Sequence, residues 1–114
     1  MGFKCVHHTR VKLESMQETG AKGIKVRWLI KADDGAPNFA MRFFELEPKG
    51  YSPLHSHNWE HEVYILEGNC QVTCEGEKCD ASAGYVVYVP PNAKHQFVNM
   101  GKSKLKFLCL VPHH

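Results

Sequence analysis

The sequence predicts an all-β domain, a sandwich or closed barrel, on three observations. Its dominant hydrophobic period is two rather than 3.6. Its apolar segments are short and rich in β-branched and aromatic residues. Turn residues separate them at regular intervals. The candidate strands are IKVRWLIK (24–31), NFAMRFFELE (38–47), HEVYIL (61–66), CQVTC (70–74), YVVYV (85–89), HQFVN (95–99) and KLKFLCLV (104–111). Between them lie Asp33-Asp34-Gly35, Pro48-Lys49-Gly50, Glu67-Gly68-Asn69, Ala83-Gly84 and Pro90-Pro91-Asn92. One short helical turn is expected over residues 13–21, where Ser15 and Glu18 have capping-box spacing. Seven short strands with regular turns fit a sandwich or barrel.

The chain of 114 residues is expected to form a single domain (1–114), with an N-terminal arm (1–23) ahead of a β-barrel (24–112). A hydrophobic content of 43% and a net charge of +2 suit an ordinary globule and give no reason to invoke nucleic acid or a membrane surface. The longest apolar stretches are too short to span a bilayer as helices. MGFKCVHHTR lacks a secretory segment, so a cytoplasmic address with reduced thiols is expected.

Five cysteines are present: Cys5, Cys70, Cys74, Cys79 and Cys109. Cys70 and Cys74 lie on one strand, about 13 Å apart, too far for one zinc ion. Cys74 and Cys79 flank EGEK, which reads as a four-residue hairpin loop, and cross-strand neighbours there reach disulfide distance. Free, half-buried thiols are the preferred reading. FLCLV and YVVYV are apolar on both faces. Their outer faces are therefore expected to be covered by the N-terminal segment, a second sheet or a partner chain, and a homodimer is expected.

The stretch HSHNWEHEVYILEG concentrates potential metal ligands. His55 and His57 share one strand face about 7 Å apart, and both can lean onto one ion at about 2.1 Å. Asn58-Trp59-Glu60 can bend the chain so that a new strand brings His61 or Glu62 back toward the pair. Parity does not choose, because both faces of HEVYIL are apolar.

Residues 50–68, from Gly50 through His55, His57 and His61 to Gly68, resemble the first motif of the cupin superfamily. Residues 84–99, from Gly84 through Pro90, Asn92 and His95 to Asn99, resemble the second. Asn92 replaces a turn glycine, and asparagine tolerates the same left-handed conformation. Six residues separate His61 from Gly68, which puts His61 where many cupins have glutamate. The resemblance thus implies a double-stranded β-helix, or jelly-roll barrel, and a metal site of His55, His57, His61 and His95. The whole chain is similar to small single-domain cupins with four-histidine sites. Manganese or iron is favoured by that resemblance, and imidazole also accommodates Zn, Ni, Co and Cu.

Four neutral imidazoles would leave a divalent ion its full +2 charge, sharpening its Lewis acidity and disfavouring oxidation to +3. The resemblance implies an oxidoreductase of dioxygenase type acting on a small organic molecule. The alternatives are a metal-dependent isomerase, lyase or hydrolase, and a non-catalytic ligand- or metal-binding module. Phe107 and Cys109 share a strand face and would line the substrate pocket if that face is inner; otherwise Cys109 is a core residue. Arg42, on a face with Phe44 and Leu46, suits a substrate carboxylate, although a stem snorkelling to the surface is the preferred reading. Trp59 is expected to pack at the barrel mouth. His7 and His8 are expected in a mobile N-terminus, and His113 and His114 are either native or a tag remnant.

Overall fold

The computed structural model describes residues 2–113. Among these, nine strands form one curled sheet: β1 (Glu14–Ser15), β2 (Lys22–Ile30), β3 (Phe39–Tyr51), β4 (His61–Glu67), β5 (Asn69–Cys74), β6 (Glu77–Ser82), β7 (Val86–Val89), β8 (His95–Asn99) and β9 (Leu105–Pro112). The order β6-β5-β8-β3-β9-β4-β7 runs around the curl, with β2 added to β3 and β1 to β2. All pairings are antiparallel. The expected jelly-roll barrel is the architecture found.

Strand β3 joins the two halves of the curl. Its first part runs between β2 and β9, with Leu46 opposite both Ile24 and Leu105. It then turns past Gly50, and Tyr51 pairs with Val98 of β8 on the opposite wall. The turn leaves no room for a side chain. A Cβ on Gly50 would lie 2.8 Å from the Glu47 carbonyl oxygen and 2.9 Å from those of Lys22 and Gly23. Gly68 is as constrained: its φ is +93°, and a Cβ would sit 2.7 Å from the Lys104 carbonyl oxygen. Asn92 adopts the expected left-handed turn, with φ 69°.

Alternation along the strands builds the interior. β9 turns Leu105, Phe107, Cys109 and Val111 inward, and β4 turns His61, Val63 and Ile65 inward. Leu46, Ile65 and Leu105 have no exposed surface. The buried Asn99 links three chain segments: its Nδ2 donates to the carbonyls of Leu46 and Ser103, and its Oδ1 accepts from Gly101 N.

Three expectations need correction. Residues 13–21 are not helical, because β1 pairs with β2 and the Met16 amide donates to the Ile24 carbonyl. Sheet pairing overrides the weak local capping signal. The β5–β6 loop is a two-residue turn, Glu75-Gly76, with φ 51° and 82°. Cys74 therefore faces Glu77, while Cys79 faces Val72, and all five cysteines are free. The segment holding His7 and His8 packs against the sheet instead of standing free of it. A 3-10 turn spans His8–Arg10, and the His8 ring stacks on Phe43 at 4.8 Å. The arm thus covers the outer face of β2 and β3, not that of the two-sided strands β7 and β9. No helix of the described residues is long and apolar enough to cross a membrane.

The two constraints at Gly68 separate by substitution. Gly68→Ala combines left-handed strain with a backbone clash and is expected to cost about 3 kcal/mol or more. Gly76→Ala, at φ +82° with open space around it, is expected to cost only about 1 kcal/mol. Denaturant unfolding of both variants measures the difference.

Candidate metal centre

Two backbone hydrogen bonds create the site. His55 N donates to His95 O at 3.2 Å, and His95 N donates to His55 O at 2.9 Å. This isolated bridge pins the segment before β4 onto the start of β8. The Asn92 amide donates to the His57 carbonyl, holding the turn before β8 against the same segment. The two sequence motifs therefore meet edge to edge, and their histidines face one another.

His55, His57 and His95 each offer a ring nitrogen, all within 4.8 Å of one another. Two nitrogens on one ion lie at most about 4.2 Å apart, so a small inward adjustment brings all three onto it. His61 lies beside this triplet, its ring centroid 4.8 Å from that of His95 and 5.4 Å from that of His57. It is not part of the tight triplet. Strand parity is settled at this point: His61 is buried and inward, while Glu62 is exposed on the outer face.

Each ring is oriented from outside the cluster. His55 Nδ1 is 3.0 Å from Glu18 Oε2, and His55 Nε2 is 3.2 Å from His57 Nε2. His95 Nδ1 donates to the Ala93 carbonyl at 2.9 Å, which leaves Nε2 its lone pair. His57 stacks on Trp59 with centroids 4.3 Å apart and planes within 5°. His61 Nδ1 lies 3.5 Å from Cys109 Sγ, while its Nε2 is buried without a partner. An orphaned imidazole nitrogen beside three others is a polar group that a metal ion would satisfy, so the residues fit such an ion.

Burial pushes the His57 pKa down to about 4, helped by the neighbouring His55 and His95. Burial pushes His61 down to about 3, with His95 and Arg42 adding repulsion. Burial also lowers His95, against its hydrogen bond to Ala93. These rings therefore remain neutral near pH 7, the form that ligates metals.

A cavity of about 80 Å³ opens beside the histidines, walled by Ile24, Phe44, Phe97 and Phe107, with Met16 and Pro53 also in its lining. Phe107, Cys109 and Arg42 all line it. Arg42 does not snorkel outward. Its guanidinium carbon lies 4.9 Å from the Phe44 ring centre and 5.4 Å from that of Trp28. Its Nη2 donates to Cys109 Sγ at 3.1 Å. The inward face of β3 carries Arg42 into the barrel because Phe44 and Leu46 on that face are core residues. Burial raises the Cys109 thiol above its ordinary range, against the pull of Arg42, so the sulfur remains a neutral thiol.

Glu18 escaped the sequence reading. Its contact with His55 spans 37 positions and has no local signature, since its capping-box spacing pointed elsewhere. Of the other histidines, His7 and His8 lie in the N-terminal arm, His113 Nε2 lies 2.8 Å from the Ala36 carbonyl, and His114 lies outside the described residues.

Residues 42–111 match the cupin domain family. The chain belongs to the cupin family. The polyketide cyclase RemF of Streptomyces resistomycificus superposes with a TM-score of 0.90 at 38% identity, covering 96% of this chain and 79% of that one. An uncharacterized protein of Methanocaldococcus jannaschii is 40% identical over 57 residues, covering 49% of this chain and 46% of its own length. The 1-methylthio-D-xylulose 5-phosphate methylsulfurylase of Rhodospirillum rubrum is 38% identical over 72 residues, covering 62% and 46%. The cupin chain thus spans about half the length of the curated relatives it matches.

The depressed histidines give metal-free protein a defined pH response. The unfolded chain protonates these rings near their ordinary value of 6.5, whereas folded His57 and His61 wait until about 4 and about 3. Between those limits the unfolded state binds more protons, so stability falls as pH falls. Calorimetry in chelator should show full stability above pH 6.5 and a decline from there toward pH 5, before most carboxylates titrate. His61→Gln should shallow that slope.

Proposed function

We propose that this cupin holds one divalent transition-metal ion through His55, His57, His61 and His95 and uses it as a Lewis acid on a small oxygenated organic molecule. The observation that carries this reading is the unpartnered Nε2 of buried His61, placed beside a triplet whose rings are already oriented. Glu18 and the Ala93 carbonyl engage Nδ1 of His55 and His95. Cys109 lies at Nδ1 of His61. Nε2 of each of these rings is left for the ion, and Nε2 of His57 faces that of His55. Glu18 acts as an outer carboxylate that fixes the His55 tautomer and ring orientation.

With four neutral ligands, a bound ion would keep its full +2 charge and supply polarisation of a carbonyl or enolate oxygen. The chain's own residues prepare the surroundings. Phe44 and Phe107, with ring centroids 5.3 Å apart, limit water on one wall. Trp59 holds the His57 ring in plane. A neutral ligand set disfavours metal oxidation, and similarity to a polyketide cyclase over nearly the whole chain supports non-oxidative chemistry.

The second reading is an oxidoreductase of dioxygenase type at manganese or iron, favoured by the phenyl walls, which suit an apolar substrate and dioxygen. Elemental analysis of untagged protein is expected to find about one ion per chain. His61→Ala should weaken metal binding about 10- to 100-fold, whereas Glu62→Ala should leave it unchanged. The reverse pattern would remove His61 from the centre. Oxygen uptake by the loaded protein would put the oxidoreductase reading first.

We also infer that two copies pair through the outer face of β7, β4 and β9. Val86, Tyr88 and Tyr64 are 74%, 60% and 47% exposed. Register places Val86 beside Tyr64, Tyr88 beside Glu62, and Glu62 beside Leu110. They make one continuous patch of the kind that marks interaction surfaces. Light scattering should report a dimer that Val86→Lys with Tyr88→Glu converts to a monomer of unchanged fold; a wild-type monomer would refute the pairing.

A further inference from the structure

We propose that Arg42 is an anion anchor, and that the cavity takes a short organic carboxylate with one end at Arg42 and a second oxygen toward the histidines. Only this second contact rests on the metal-centre reading.

The charge on Arg42 is uncompensated within the described residues. Arg42 is partly buried on the inner face of β3, and no carboxylate pairs with it among the described residues. Its only hydrogen-bond partner in the described residues is the neutral sulfur of Cys109, and its Nε is buried without a partner. Two aromatic faces, Trp28 and Phe44, hold the guanidinium plane in place. A guanidinium cannot shed its charge, so burial without a counter-ion is costly unless an anion arrives. A rigid fork packed between rings is preorganised for a carboxylate.

The rest of the cavity agrees in sign and size. Its one acidic lining residue is Glu18, whose carboxylate is engaged by His55 at the mouth. Cys109 links Arg42 to His61 through contacts of 3.1 and 3.5 Å, so the anchor and the imidazole cluster are close neighbours across one sulfur. A cavity of about 80 Å³ has room for about six water-sized groups. That suits a carboxylate with a second oxygen two or three bonds away, such as a 2-oxo or 3-oxo acid, and excludes full enclosure of a large polycyclic molecule.

The test is calorimetric titration of malonate and pyruvate, with malonamide as the uncharged match, into metal-loaded and chelator-stripped protein. Wild type should bind both carboxylates more tightly than malonamide. Arg42→Met should weaken carboxylate binding about 10- to 100-fold, while malonamide binding and metal content stay unchanged. Arg42→Lys, which keeps the charge and loses the fork, should lose less; it also serves should the methionine variant fail to fold. Carboxylate affinity equal to wild type in the folded variants would overturn the proposal. So would a wild type that binds neither malonate nor pyruvate at millimolar concentration. If the chain takes up no ion, the metal-centre reading fails alone, and Arg42-dependent malonate binding to the stripped protein still decides the anchor.

Discussion

The paired backbone hydrogen bonds between His55 and His95 are the constraint on which the site depends. Residues 52–60 include little regular strand, so their position must be imposed from outside. The bridge ties them to β8 and brings histidines from two distant motifs together. The bend that follows lets β4 start with His61 facing inward. Without the bridge, His55 and His57 would sit on a free loop, and the cluster would have no common geometry. The motif glycines serve the same end. Gly50 lets β3 cross from one wall to the other, and Gly68 lets β4 pass close to the start of β9.

A barrel interior that contains His61, His95 and Arg42 carries a cost that an all-apolar core avoids. The structure offsets only part of it. His95 has the Ala93 carbonyl, and Asn99 is fully bonded. His61 Nε2 and Arg42 Nε remain without protein partners. Both residues line one cavity, joined through Cys109. Two unsatisfied nitrogens lining one cavity are expected where a ligand completes the hydrogen bonding; the other two among the described residues, His8 Nδ1 and Arg27 Nε, belong to the N-terminal arm and β2.

The outer surface divides in a similar way. On the β2–β3 side the N-terminal arm lies over the strands: His8 stacks on Phe43, Arg27 Nη1 donates to the Val11 carbonyl, and Lys4 Nζ donates to the Leu29 carbonyl at 2.8 Å. The same arm delivers Glu18 to His55, so one segment both covers a sheet face and orients a histidine of the cluster. On the β4–β7 side no described residue covers Tyr64, Val86 and Tyr88.

Much of this was legible in the sequence, for a physical reason. Strand alternation and turn residues are local, so the all-β class and the strand positions follow from short windows. The cupin motifs are local as well, which is why the histidines could be named before their geometry was known. Other features depended on pairing between distant segments. Parity alone left His61 and Glu62 equivalent, because β4 has apolar side chains on both faces, and only its seat between β7 and β9 assigned an inside. Ser15 and Glu18 carried a helix signal that pairing with β2 overruled. The inward course of Arg42 and the contact of Glu18 with His55 have no local trace, since each partner lies far along the chain. Local chemistry determined which residues this cupin has available, and closure of the barrel decided which of them meet.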